Sequence, residues 1–256
     1  MNIRNLLFTA LLVLGTFPLN AQRWEVLGSL HRISTFAVQH VGGDVWLCGS
    51  LYGGIYRSTD NALSWSHVHG EGQSVTSFLR LPNGNVLAGT TQGLMLSTDQ
   101  GVRWTSTNFP AGKSALSIAR ASGGSLLVAG WDGLWRSDDN GVSWTGLRDA
   151  LPEERLLCVA LENDGDILVG THSRGLHRST DGGKTWQLAC KESMGLNVSA
   201  CIVDGDRILA TVLGLGVVIS EDAGATWSIK AIGLMNLNID VLALTPMGTL
   251  LAGDRQ

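Results

Sequence analysis

The chain has 256 residues, of which 44% are hydrophobic and 16% charged, and it carries a net charge of −4. That balance excludes a disordered chain, and the acidic excess argues against a nucleic-acid-binding surface. Thirty-three glycines, about 13% where roughly 7% is usual, and nine Trp beside two Tyr set the composition apart.

The N-terminus reads as a secretory signal. Arg4 supplies a positive start, Leu6 to Leu14 form an apolar run, and Pro18 to Ala21 end on a small residue suited to cleavage. A membrane span needs roughly 20 apolar residues, and here Gly15 and Pro18 interrupt the run. Residues 1–21 are therefore expected to be removed, leaving 22–256 as one domain, secreted or periplasmic, with no stable membrane span. No Cys follows the apolar run closely, which argues against a lipid anchor.

Downstream, one octet recurs five times: Ser58 to Trp65, Ser97 to Trp104, Ser137 to Trp144, Ser179 to Trp186 and Ser220 to Trp227. The spacings are 39, 40, 42 and 41 residues. Self-similarity at a period near 40 marks a repeat architecture. In the second repeat the pattern predicts strands at Val75–Leu81, Asn85–Thr90, Gly93–Ser97 and Arg103–Thr107. Four strands of five or six residues with turns fill about 40 residues, which is what a propeller blade needs. No stretch has sustained helical periodicity.

The octet, as in Ser179-Thr180-Asp181-Gly182-Gly183-Lys184-Thr185-Trp186, resembles the Asp box (BNR repeat) of the sialidase-like β-propellers. The resemblance implies an all-β β-propeller of four-stranded blades, with five complete Asp-box repeats and a partial sixth. It assigns a structural role to Asp60, Asp99, Asp139, Asp181 and Asp222, which accept backbone N–H groups across the turn. It likewise makes Trp65, Trp104, Trp144, Trp186 and Trp227 wedges against their own blades. Ala62 replaces the usual Gly in the first octet and Arg103 the usual Thr in the second, so these two turns are expected to be looser. One or two carboxylates per octet, without a closing Glu, do not make a Ca²⁺ loop.

The phase extends beyond the octets. Trp24 lies 41 residues before Trp65, and Gly253 lies 42 after Thr211. Asp240–Gly253 is thus expected to give the first two strands of a sixth blade, which the chain leaves incomplete. Strands from both termini could join in that blade and close the ring, but one strand is missing: a truncated version of a longer protein is the expectation, and a last blade of only three strands is the alternative.

Cys48, Cys158, Cys190 and Cys201 contain no C-x-x-C pair. They read as free core thiols rather than a disulfide framework or a metal site. His67 and His69 lack a third ligand partner and read as solvated. No metal or cofactor is expected.

In sialidase-like propellers the functional groups lie away from the Asp boxes. That end of the blades draws on Tyr52, Gln92, Trp131, Asp132, His172, Ser173, Arg174 and Leu213, together with the inter-blade connections. A sialidase reading fails. The Arg-Ile-Pro motif is absent, only Tyr52 and Tyr56 exist, and Arg57, Arg136 and Arg178 repeat beside the octets as solvated edge residues.

Two readings stay open. In the first, the chain is non-enzymatic and resembles the photosystem II stability/assembly-factor-like propellers, which implies a protein-binding scaffold, without implying photosynthesis. Arg148, Arg155, Arg174 and His172 would then bind the partner, with Trp131 as an aromatic anchor; packing of Trp131 between blades is the plain alternative. In the second, the propeller binds or hydrolyses glycans. Two carboxylates about 5–9.5 Å apart would come from Asp132, Asp149, Glu153, Glu154, Glu71 or Glu192.

Overall fold

The computed structural model describes residues 34–147, 151, 155–162, 165–230, 236–244 and 250–254. The expected signal at 1–21 and the strand around Trp24 lie outside the described residues, as do Arg148, Asp149, Glu153 and Glu154.

Every sheet is an antiparallel meander. The first comprises β1 (Thr35–Gly42), β2 (Val45–Ser50), β3 (Gly54–Ser58) and β4 (Ser66–His69). The second comprises β5 (Val75–Arg80), β6 (Val86–Thr90), β7 (Gly93–Ser97) and β8 (Thr105–Ser106). The third is β9 (Ser117–Arg120), β10 (Leu126–Gly130), β11 (Gly133–Ser137) and β12 (Thr145–Gly146). In the fourth, β13 (Leu156–Leu161), β14 (Ile167–Thr171), β15 (Leu176–Ser179) and β16 (Gln187–Leu188) pair in order. The fifth holds β17 (Cys201–Asp204), β18 (Arg207–Val212), β19 (Gly216–Ser220) and β20 (Ser228–Lys230). Finally β21 (Ile239–Leu244) pairs with β22 (Leu250–Asp254). The fold is a β-propeller of four-stranded blades; among the described residues five sheets have four strands and a sixth has two.

The described chain packs as two compact units: residues 34–90 with 95–105, and residues 91–94 with 106–254. Within each, the core is a set of seams between sheets. In the first unit Val41, Leu47, Ile55, Val75, Val86, Ala88 and Trp104 form one seam. In the second, Leu127, Ala129, Leu134, Val159 and Val169 form another, and Leu168, Leu176, Val198, Ile208 and Val218 a third. The second strands Val86–Thr90, Leu126–Gly130 and Ile167–Thr171 are buried at every position and read as unbroken apolar runs rather than alternating ones; Ile167–Thr171 lies between two seams, with Val169 in one and Leu168 in the other.

The outer strands are shorter than expected. The residues 103–107 reduce to Thr105–Ser106 in β8. The octet explains the loss, because the Arg103 N–H is committed to Asp99 Oδ1 at 2.9 Å instead of the ladder.

Candidate functional site

At one end of each blade the octet builds a tight turn. Its fourth and fifth residues both have positive φ, as in Asn140 (57°) and Gly141 (88°), the pattern of a type I′ turn. The octet Ser donates to the Asp, from Ser58 to Asp60 at 2.7 Å and from Ser179 to Asp181 at 2.9 Å. It also accepts the N–H of the fifth residue, such as Gly141 at 2.7 Å. Asp Oδ1 accepts the N–H of the seventh residue, at 2.8 Å from Thr226 to Asp222. Oδ2 accepts that residue's hydroxyl, at 2.5 Å from Ser64 to Asp60 and from Ser143 to Asp139.

These hydroxyl donors, followed by the backbone N–H of the same residues, hold Asp60, Asp139 and Asp222 at about 2. Asp181 lies well below the usual carboxylate range for the same reason, through Thr185. Arg103 has no hydroxyl to give, so the Arg103 N–H is the main cause of the lowering at Asp99.

The Trp residues do not wedge against their own blades alone. Trp104 joins the seam formed with Leu47 and Ile55 of the preceding sheet, Trp186 the seam with Leu127 and Leu134, and Trp227 the seam with Leu168 and Leu176. The turn carries the octet toward the preceding sheet, so that a Cβ on Gly101 would strike the Leu47 side chain. Each of four indoles donates to a glycine carbonyl three residues back, from Trp104 to Gly101 at 3.1 Å and from Trp144 to Gly141 at 3.2 Å. In the first octet Ala62 replaces that glycine at φ 67°, and the buried Trp65 Nε1 has no acceptor among the described residues.

The arginines before the octets are not merely solvated. Arg57 Nε donates to the Gln100 carbonyl at 2.9 Å, and Arg178 Nη1 to the Ala223 carbonyl at 2.9 Å, each in the following octet. Arg178 also pairs with the nearly buried Glu162 at 2.8 Å and Asp166 at 2.9 Å. A cavity of about 180 Å³ lies there, lined by Arg178, Thr180, Thr185, Gln187, Leu188, Ala189 and Gly224. It falls below the roughly 300–1,000 Å³ of small-molecule pockets.

The opposite end of the blades carries the turn from second to third strand, and here the residues vary. In the third blade this turn is Trp131-Asp132, closed by pairing of Gly130 with Gly133. Trp131 is 47% exposed, and its N–H donates to Ser114 Oγ at 2.7 Å. The Arg155 guanidinium lies 6.0 Å from the Trp131 ring centroid, within cation–π range. The Arg155 carbonyl accepts the N–H of His172 at 2.9 Å. Arg174 follows in the same exposed turn, its N–H donating to Thr171 Oγ1 at 2.8 Å.

Trp131, Arg155 and His172 are thus linked across two blades, with Arg174 two residues beyond His172. Arg148 falls outside the described residues. Asp132 has a structural duty: Oδ1 accepts from Lys113 Nζ at 3.0 Å, and Oδ2 from the Ser114 N–H at 3.2 Å. It pins the incoming connection to the turn. Sequence reasoning missed Lys113, because a partner 19 positions away leaves no periodic signal.

Of the remaining candidates, the His67 ring packs edge-on to Tyr56 at 5.3 Å, and Glu192 Oε2 accepts from the Cys190 thiol at 3.4 Å. Among the described residues no group of three or more His, Cys, Asp or Glu is placed to hold a metal ion. No helix among them is long and apolar enough to cross a membrane.

A family model described as the DUF6242 beta propeller domain matches residues 22–195. No curated protein matches the chain. Among solved structures it is similar to YCF48 bound to a D1 peptide, at 15% identity and a TM-score of 0.60, over 78% of this chain and 67% of that one. It is similar to an ancestral GH74 enzyme at 18% identity and a TM-score of 0.70, over 86% of this chain and 35% of that one. The extracellular domain described as that of the one component system BT4673 from B. thetaiotaomicron gives 18% identity and a TM-score of 0.72, over 91% of this chain and 32% of that one. The chain spans about a third of the length of the last two, and likeness at these identities is a likeness of fold.

Proposed function

We propose that this chain, which belongs to the DUF6242 β-propeller domain family, is a non-enzymatic scaffold that binds a protein partner outside the cytoplasm. The observation that carries the reading is the half-exposed Trp131 beneath the Arg155 guanidinium. Both are anchored through their backbones, so an aromatic and a cation are held ready at little ordering cost on binding. His172 and Arg174 extend the basic character, and Arg148 belongs to the same proposed surface. A structural neighbour with a bound peptide supports a protein ligand. One that is an extracellular domain, with the signal-like residues 1–21, supports an exported protein.

The GH74 neighbour leaves a glycan-active reading as the alternative. Against hydrolysis stands Asp132, whose two oxygens are taken by Lys113 and the Ser114 N–H.

The test uses residues 22–256 as bait in an envelope extract, beside an R148E/R155E/R174E variant and a Trp131→Ala variant. A stoichiometric protein captured by the parent chain and lost by both variants, at unchanged melting temperature, is the expected result. Capture of polysaccharide alone, or of a protein indifferent to the substitutions, would overturn it.

A further inference from the structure

We infer that Cys158 and Cys201 form a disulfide that joins the inner strands of the fourth and fifth blades. The inference starts from register. In β13, Val159 faces the third blade, sharing a seam with Leu127 and Ala129. Its neighbour Cys158 faces the other way, into the seam with Val198, Ile208 and Ala210, as alternation along a strand requires.

In the fourth blade Val159 pairs with Val169, two positions beyond Ile167, which pairs with Ser179. In the fifth, Cys201 pairs with Ala210, two positions beyond Ile208, which pairs with Ser220. Cys201 therefore occupies the place of Val159 and faces back toward the fourth blade. It packs against the same cluster that contains Cys158, so the two side chains, both free thiols in this structure, meet in one seam.

The site is shaped for sulfur. Cys158 Sγ lies over Gly170, where a Cβ would collide with it, and approaches the Val198 carbonyl at 3.8 Å. Cys48 lies in the first blade, its thiol donating to Thr35 Oγ1 at 3.5 Å; Cys190 shares the cluster with Cys158, but its thiol is turned to Glu192 Oε2 at 3.4 Å.

Formation removes two protons and two electrons from the thiols and makes one S–S bond. A small-molecule disulfide accepts the electrons and leaves as two thiols. The exchange passes through a mixed disulfide at one Cys, which the other then displaces. The neighbouring Cys158 thiol, and after it burial, raises the Cys201 thiol well above its ordinary range, which suppresses the thiolate in the closed seam. The bond thus forms while the seam is still open, during folding, and is shielded from reductant afterwards.

The test is refolding of the full chain from denaturant in a reduced/oxidised glutathione mixture. Acid quenching, alkylation in denaturant without reductant, and tryptic mass mapping follow. The expected result is alkylated Cys48 and Cys190 with peptides Leu156–Arg174 and Glu192–Arg207 joined. The melting temperature should exceed that of the same protein refolded with reductant by roughly 5 °C or more. Cys201→Ala should remove both the link and the redox-dependent shift. Four alkylated thiols, glutathione adducts in place of the link, or a link to Cys48 or Cys190 would each overturn the inference. Purified chain suffices, so the outcome is independent of where the protein resides.

Discussion

Substituting Gly101 by Ala tests whether the octet turn locks one sheet onto the sheet before it. Gly101 has φ +85°, and an added Cβ would meet Cδ1 of Leu47 at 3.0 Å and Cγ at 3.2 Å, with Cδ2 nearer still. Leu47 is fully buried in the seam with Val41, Ile55, Val86 and Trp104, so it has little room to yield. A left-handed backbone costs a side-chain-bearing residue roughly 1–2 kcal/mol, and overpacking adds about 1–3 kcal/mol. The smaller unfolded-state entropy of Ala offsets about 0.4–1 kcal/mol. The net loss is therefore about 2–4 kcal/mol, or roughly 5–12 °C in melting temperature for a chain of this size.

Two controls separate the terms. Gly84→Ala has the same backbone demand, at φ +86° with nothing within 4 Å, and should cost only about 1 kcal/mol. Gly49→Ala has no left-handed φ but places its Cβ 2.8 Å from the Val75 carbonyl oxygen, so it reports contact alone. Urea and thermal unfolding followed by circular dichroism give the values. In a double-mutant cycle, Leu47→Ala should recover about 1–2 kcal/mol of the Gly101→Ala loss. If Gly101→Ala costs no more than Gly84→Ala and shows no coupling to Leu47, the wedge between sheets does not exist.

Arg178→Ala should destabilise by about 3–5 kcal/mol, because it removes the guanidinium that pairs with the nearly buried Glu162 and Asp166; an unchanged urea midpoint would contradict the pairing. Arg103→Thr supplies the hydroxyl missing from the second octet. The Asp99 carboxyl should then titrate lower than in the parent, toward the behaviour of Asp139, as followed by carboxyl-carbon NMR. The octet Asp residues also set an acid limit. Their folded values are depressed from the ordinary 3.8 to about 2 at Asp60, Asp139 and Asp222. The unfolded state therefore binds protons first as pH falls. The stability that the carboxylates contribute is complete above about pH 5 and is lost between about pH 4 and pH 2. A urea midpoint that stays level from pH 5 to pH 2.5 would refute this.

The octet was legible because its constraint is local and repeated. Ser137, Asp139, Gly141 and Ser143 meet one another within seven residues, so the requirement survives in every copy as spelling. The seams were legible only as apolar runs. Nothing in Trp104 itself says that its ring reaches the preceding sheet, since that depends on how the turn folds over. The other end of the blade was less readable still. Asp132 stood out as a carboxylate in an exposed turn, but the partners that give it a structural role, Lys113 and Ser114, are fixed by how the incoming connection crosses the turn. The cysteines show the same limit. Their spacing carries no motif, and only the register of two neighbouring blades turns Cys158 and Cys201 toward each other.

That contrast between the two ends of a blade bears on where specificity can reside. At the octet end, Ser, Asp and Trp are spent on the turn and the seam, and replacing them costs stability before it changes recognition. At the other end the turns are anchored chiefly through backbone, Asp132 being the exception. Leu51 donates its N–H to the Ser34 carbonyl, His172 to that of Arg155, and Leu213 to that of Asn197; Trp131 uses the Ser114 hydroxyl. These bonds hold main chain through groups that every residue carries, so the exposed Tyr52, Trp131 and Leu213 can differ with little cost to the fold. A repeat protein that must be regular to fold can be particular only where its regularity makes no demand on side chains. Substitutions of Trp131 and His172 should therefore separate binding from stability, whereas substitutions in the octets should not.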